Sequence, residues 1–231
     1  MKTALITGAS RGLGLALATA LANDGWRLVL DGRDEATLAA ARRALEARTE
    51  VAAIPGDVAN EAHRKQLVSA AGDRLDLLVN NASTLGPSPL PVLAGYPTEA
   101  LEGVCQVNVL SPLRLIQLSL PILRQSRGII INVTSDAAVE GYPGWGGYGS
   151  SKAALEQLSN VLAAEEPELA VYWVDPGDMR TDMQQLAFPG QDISDRPLPE
   201  VSVPGLLELV RARPASGRYR ARDVAAAARE A

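Results

Sequence analysis

The chain has 231 residues, 22 Lys+Arg against 27 Asp+Glu, and a net charge of −5. A net acidic chain with no basic run lacks the electrostatic footprint of a nucleic-acid binder, and 47% hydrophobic against 21% charged residues is globular rather than disordered composition. One cysteine, Cys105, and one histidine, His63, leave neither an internal disulfide nor a soft-ligand cluster for a metal.

Residues 4–7 read as a buried strand and 13–23 as an Ala/Leu helix. A strand at 27–30 precedes a helix at 35–48, a strand at 51–54 precedes a helix at 61–71, and a fourth strand follows at 75–79. The Gly/Pro-rich segment 86–97 must be loop. A helix at 98–123, interrupted near Pro112 and Pro121, leads to a fifth strand at 128–133. A helix at 151–165 and a sixth strand at 170–174 come next. Continuously apolar strands need cover on both faces, so this alternation predicts an α/β fold with one doubly wound, Rossmann-like parallel sheet. A single domain over 1–231 is expected, with 183–204, richer in Pro, Gly and Asp, as a substrate-side loop or lid. Residues 216–220 read as a last short strand before the Ala-rich tail 223–231. The apolar stretch before Gly8 is too short for a signal sequence and no run approaches a membrane span, so a cytoplasmic location without membrane contact is expected.

The first strand runs into Gly8-Ala9-Ser10-Arg11-Gly12-Leu13-Gly14 and then a helix. Glycines there tighten the turn and let the backbone approach a pyrophosphate seated on the helix N-terminus. The tip of the second strand, Leu30-Asp31-Gly32-Arg33, bears on the choice of dinucleotide. Aligned on the strand end, Gly32 holds the decisive position, Arg33 follows, and Arg11 faces the same place. Two guanidiniums and no acid suit a 2′-phosphate, which points to NADP. A register slipped by one residue makes Asp31 the ribose ligand and the cofactor NAD.

Tyr148 and Lys152 stand four apart, one turn of helix on a shared face. Ser135 follows the fifth strand at the carboxyl edge of the sheet, where such folds bind ligands. A fixed ammonium near a phenol favours phenolate and lowers its pKa, as a general acid/base near neutral pH requires. His63 is expected at the surface, and Cys105 as a small core or interface residue. Tyr142, Pro143, Trp145 and Met183 either wall a substrate pocket or pack loops. Asp136 and Asp178 either select a polar or cationic substrate or are solvated.

On these motifs the chain resembles the short-chain dehydrogenase/reductase family from Thr7 to about Thr181. Residues 7–14 resemble its cofactor loop, Asp57-Val58 its adenine-contact pair, and Asn80-Asn81-Ala82 its strand-four motif, with Ser83 where the family has Gly. Asn108, Ser135, Tyr148 and Lys152 fall where the family has its catalytic tetrad, and Pro176-Gly177 with Thr181 resemble the segment holding the nicotinamide amide. The resemblance implies that Tyr148 exchanges a proton with the substrate oxygen and that Ser135 hydrogen-bonds that oxygen. It implies that Lys152 tunes Tyr148 and binds the nicotinamide ribose, while Asn108 positions a water linking Lys152 to solvent. The implied function is hydride transfer between NADP(H) and a small-molecule carbonyl or secondary alcohol. A non-catalytic NADP(H)-binding sensor and an isomerase on the same fold are the alternatives. The family's common terminal glycines are missing, and a dimer through helices 98–118 and 151–165 is expected.

Overall fold

The computed structural model describes residues Met1–Glu230, and Ala231, the end of the Ala-rich tail, lies outside them. Seven strands form one all-parallel sheet in the order β3-β2-β1-β4-β5-β6-β7. They are β1 (Thr3–Ile6), β2 (Arg27–Gly32), β3 (Val51–Pro55), β4 (Leu77–Asn80), β5 (Ile129–Val133), β6 (Ala170–Asp175) and β7 (Gly217–Arg220). Winding proceeds outward from β1 in one direction and from β4 in the other. The crevice between the carboxyl ends of β1 and β4 is therefore the topological switch point.

Successive side chains of a strand point to opposite faces, and both faces here are covered. Ala4, Ile6, Leu28, Leu30, Leu77, Val79, Ile129 and Ile131 join one apolar layer with Leu17 and Leu21 of α1 (Gly12–Asn23) and Leu38 of α2 (Glu35–Leu45). Leu5, Val29, Leu78 and Ile130 join the other with Leu67 of α3 (Glu61–Ala71). That parity explains why the strands read as unbroken apolar runs.

The helix expected over 98–123 is two helices, α4 (Thr98–Cys105) and α5 (Ser111–Ser126), joined by a π-helical turn at Gln106–Leu110. Pro112 is the second residue of α5, directly after the π-helical turn, where its missing N–H interrupts the helical hydrogen-bond ladder. Pro121 lies inside α5 without ending it, and the helix runs on to Ser126. Helix α6 (Gly146–Glu165) starts earlier than the 151 expected, so Tyr148 and Lys152 both lie within it. Between β6 and β7 the 183–204 stretch begins inside α7 (Asp182–Ala187) and reaches the start of α8 (Val203–Ala212), neither of which the apolar pattern revealed. The last helix is α9 (Ala221–Glu230). Among the described residues no helix is long and apolar enough to cross a membrane, and no group of three or more His, Cys, Asp or Glu could hold a metal.

Candidate active site

A cavity of about 1450 Å³ opens along the carboxyl ends of the strands. Its first wall is the glycine loop. Gly8 and Gly12 have φ of +63° and +57°, a region costly for other residues. A Cβ on Gly14 would stand 2.4 Å from the Gly8 carbonyl oxygen, so the first turn of α1 closes onto the loop only with glycine there. Asn81, just after β4, grips the loop, donating to the Thr7 and Gly8 carbonyls at 2.9 and 3.0 Å. No side chain caps the N-terminus of α1. Its open N–H groups and the dipole behind them form an anion seat facing the cavity, which fits a dinucleotide's pyrophosphate. Gly8, Ser10, Arg11, Gly12 and Leu13 line the cavity, with Asp57, Val58, Asn81 and Ala82 farther along. Asn80 is not part of this lining: it is 3% exposed and donates to Asn132 within the sheet. Asn80 is the last residue of β4 and its side chain turns into the sheet toward Asn132, whereas Asn81 and Ala82 follow the strand and line the cavity.

The end of β2 follows the same parity. Gly32 shares the face of Leu28 and Leu30, and a Cβ there would meet Ser10 at 3.0 Å and Leu38 at 3.5 Å, on the glycine-loop side. Asp31 shares the face of Val29 and reaches toward α3, where its Oδ1 lies 2.6 Å from Nε2 of His63. His63 is buried, not at the surface as its polar surroundings suggested. Arg33 is exposed on the cavity wall and pairs with no carboxylate among the described residues. Arg11 is on that wall too, but its guanidinium bonds Asp182 of α7 across the cleft at 2.7 Å.

Ser135, Tyr148 and Lys152 converge at the other end of the cavity. A Cβ on Gly149 would lie 2.5 Å from the Ala137 carbonyl oxygen. Glycine thus lets α6 press against the turn Asp136–Ala138 and brings Tyr148 beside Ser135. Burial drives the Tyr148 phenol above its ordinary range, while the Ser135 and Ser83 hydroxyls act to lower it. Lys152 donates to the Val133 carbonyl at 2.8 Å, and burial pushes its ammonium down to about 7. The expected depression of the phenol by a fixed cation is thus not seen: desolvation dominates both groups. The Asn108 side chain is wholly buried and committed, accepting from Thr84 N and Ser83 Oγ and donating to the Thr84 carbonyl and Ser151 Oγ. It thus ties the Ser83–Thr84 segment to Ser151 of α6.

Behind Ser135, Arg218 of β7 donates to the Ser135 carbonyl at 3.2 Å and to Glu156 of α6 at 3.0 Å. Ser135 Oγ donates to Asp136 at 2.9 Å, and Asp136 also accepts from the Tyr142 hydroxyl at 3.1 Å. Asp136 is therefore engaged with the site rather than merely solvated. Trp145 meets Tyr148 edge-on at 5.7 Å between ring centroids, and Phe188 beyond α7 lies 6.1 Å from Trp145. Met183 packs with them, and Pro143 lines the same end. Pro176, Gly177 and Thr181 line the cavity between the two ends, Thr181 also capping α7 through its hydroxyl. Sequence reasoning missed Arg218, which reaches Ser135 from a remote edge strand. It noted Ser83 only as a departure, although the hydroxyl itself was the signal.

The family model described as short chain dehydrogenase matches residues 2–192. The rhamnolipids biosynthesis 3-oxoacyl-[acyl-carrier-protein] reductase of Pseudomonas aeruginosa is 40% identical over 174 residues, 71% of this chain and 66% of that protein. Sepiapterin reductase of Mus musculus is 35% identical over 199 residues, 79% of this chain and 76% of its own. Among solved structures, the oxidoreductase yciK from E. coli superposes with a TM-score of 0.88 at 30% identity, covering 96% of this chain and 95% of that one. An alcohol dehydrogenase from Thermococcus sibiricus, solved with 5-hydroxy-NADP, gives 0.76 at 27% identity over 99% and 89% of the two chains.

Proposed function

The chain belongs to the short-chain dehydrogenase/reductase family, and on that premise we propose that it is an NADP(H)-dependent oxidoreductase acting on a carbonyl or secondary alcohol. The observation that carries this reading is the convergence of Tyr148, Ser135 and Lys152 at one end of a cavity whose other end is a glycine loop and an open helix N-terminus. The donor set fits a nicotinamide dinucleotide: α1 seats the pyrophosphate, Asp57 and Val58 flank the adenine, and Pro176, Gly177 and Thr181 hold the carboxamide. Arg33 favours the 2′-phosphate, supported by its exposure on the cavity wall and by both carboxylate oxygens of Asp31 being engaged, by His63 and the Gly8 N–H. When bound, the nicotinamide supplies or accepts the hydride.

The chain's own residues manage the oxygen. Ser135 turns its one hydroxyl proton from Asp136 to that oxygen and fixes its place. Tyr148, its phenol kept protonated by burial, gives its proton to the oxygen in reduction and takes one back in oxidation. Lys152 supports the phenol and holds the nicotinamide ribose. Asn108 positions Thr84 and Ser151 behind them. Trp145, Phe188 and Met183 exclude water from the substrate side, with 183–204 as the lid. A dimer through α4/α5 and α6 belongs to this reading, supported by Leu110 and Val161 being exposed. A carbonyl and alcohol panel followed through NADPH and NADH absorbance tests it. Tyr148→Phe should cut turnover by about 10²–10⁴-fold while leaving cofactor affinity nearly unchanged. Cofactor binding without consumption on any member of the panel would favour a non-catalytic sensor.

A further inference from the structure

Beneath the glycine loop lies a buried pair that the proposed reaction does not use. Asp31 and His63 are 2% and 5% exposed. One carboxylate oxygen meets His63 Nε2 at 2.6 Å, and the other accepts from the Gly8 N–H at 3.1 Å. The imidazole is seated by its surroundings. A Cβ on Gly56 would lie 2.3 Å from Nδ1, so the ring fills the space that this glycine leaves. Asn60 caps the first turn of α3, accepting from the backbone N–H of both Ala62 and His63. A line of contacts thus runs from a capped helix through His63 and Asp31 to the first residue of the glycine loop.

We infer that Asp31 and His63 are positioning residues for the dinucleotide, holding the Gly8 peptide in the shape that receives the pyrophosphate. The inference rests on the cofactor reading above. A carboxylate stays buried only when its oxygens are satisfied, and here a ring nitrogen and a loop N–H satisfy them. Gly8 is held on both sides, its N–H by Asp31 and its carbonyl by Asn81 at 3.0 Å. Gly8 has φ of +63° and no side chain to anchor it, so these two grips define where the loop sits. A loop ordered before the ligand arrives loses less freedom on binding. NADPH and NADH share the pyrophosphate, so the contribution is common to both.

The test compares Asp31→Ala with Asp31→Asn by titrating NADPH and NADH. The alanine variant should weaken both cofactors by the same factor, about tenfold for one charge-assisted hydrogen bond, and leave their ratio unchanged. Its KM for cofactor should rise far more than its kcat falls. The asparagine variant should recover most of the affinity, because its amide oxygen can accept from Gly8 while its NH2 donates to a neutral His63. A loss confined to NADH would mean that Asp31 touches the ribose, and unchanged affinity for both would mean that the pair does not position the loop; either result overturns the inference. Should the alanine variant not fold, residue-resolved amide exchange on the unmodified protein decides: Gly8 should be protected without cofactor, and rapid exchange overturns the inference. A parent protein that binds neither nucleotide overturns instead the cofactor reading on which the inference rests, a result distinct from a variant that binds like its parent.

Discussion

Lys152 pairs with no carboxylate among the described residues, and its only hydrogen-bond partner there is the Val133 carbonyl. Burial lowers its pKa from 10.5 to about 7. Between those two values the unfolded chain binds a proton that the folded chain does not, so this residue makes stability rise with pH across that window. Below about 7 its destabilising contribution is fully present. Lys152→Met should therefore melt above the parent at about pH 6, with the gap closing toward about pH 10. Parallel melting curves at every pH would show that the ammonium is not desolvated. The raised phenol beside it has the sign wanted for reduction, since Tyr148 then carries its proton at neutral pH. Spacing alone placed these two side chains together, but the direction of each shift came from how deeply both are buried.

At the scale of elements, the site depends on two close approaches. The first is α6 against the turn after β5, where Gly149 faces the Ala137 carbonyl oxygen. Gly149→Ala would put a methyl 2.5 Å from that backbone atom and force α6 outward. Misplacing Tyr148 relative to Ser135 in this way should cost about 10²-fold in kcat with a much smaller effect on cofactor affinity. Near-parental kcat would mean that α6 tolerates the shift. The second is α7 against the glycine loop, joined by the Arg11–Asp182 pair at 2.7 Å. Both side chains are well exposed, so the pair should add little to stability. Asp182→Asn frees Arg11 for a 2′-phosphate and should tighten NADPH by up to about fivefold at low salt. The gain should fade as salt is added. Weaker NADPH binding by the same variant would instead make the pair a latch that helps to close α7 over the cofactor.

Over the whole molecule, a ligand lying along the switch point touches β1, β2, β4 and β6 together, so binding should stabilise the sheet as a unit. NADPH at about 100 times its Kd should add about 2.7 kcal/mol. For a chain of this size that raises Tm by roughly 5–10 °C. NADH at the same concentration should give a clearly smaller rise. Arg33→Ala should weaken NADPH by about tenfold and shrink its shift toward that of NADH. Equal shifts for the two cofactors in the parent would remove the phosphate preference from Arg33. Thermal melts with each nucleotide, in parent and variant, measure all four values.

Local sequence was enough for the parallel α/β architecture, because the central strands β1, β2, β4 and β5 are apolar on both faces and each glycine of the loop stands where a turn or a close approach requires it. It was enough as well for the Tyr148–Lys152 pairing, because one helical turn separates them whatever surrounds the helix. It also held an unused signal: period-2 parity along Leu28, Val29, Leu30, Asp31 and Gly32 separates Asp31 from Gly32 without a structure. Where contact depends on residues distant in the chain, the sequence is silent. Only the fold shows that Asp31 is taken by His63, 32 positions on, that Arg11 meets Asp182, 171 positions on, and that Arg218 reaches Ser135 from β7, 83 positions on. Local order follows from the propensities of neighbours. The partner of a buried charge is decided by which strands and helices the topology sets side by side, and the need to satisfy that charge operates only once they are packed.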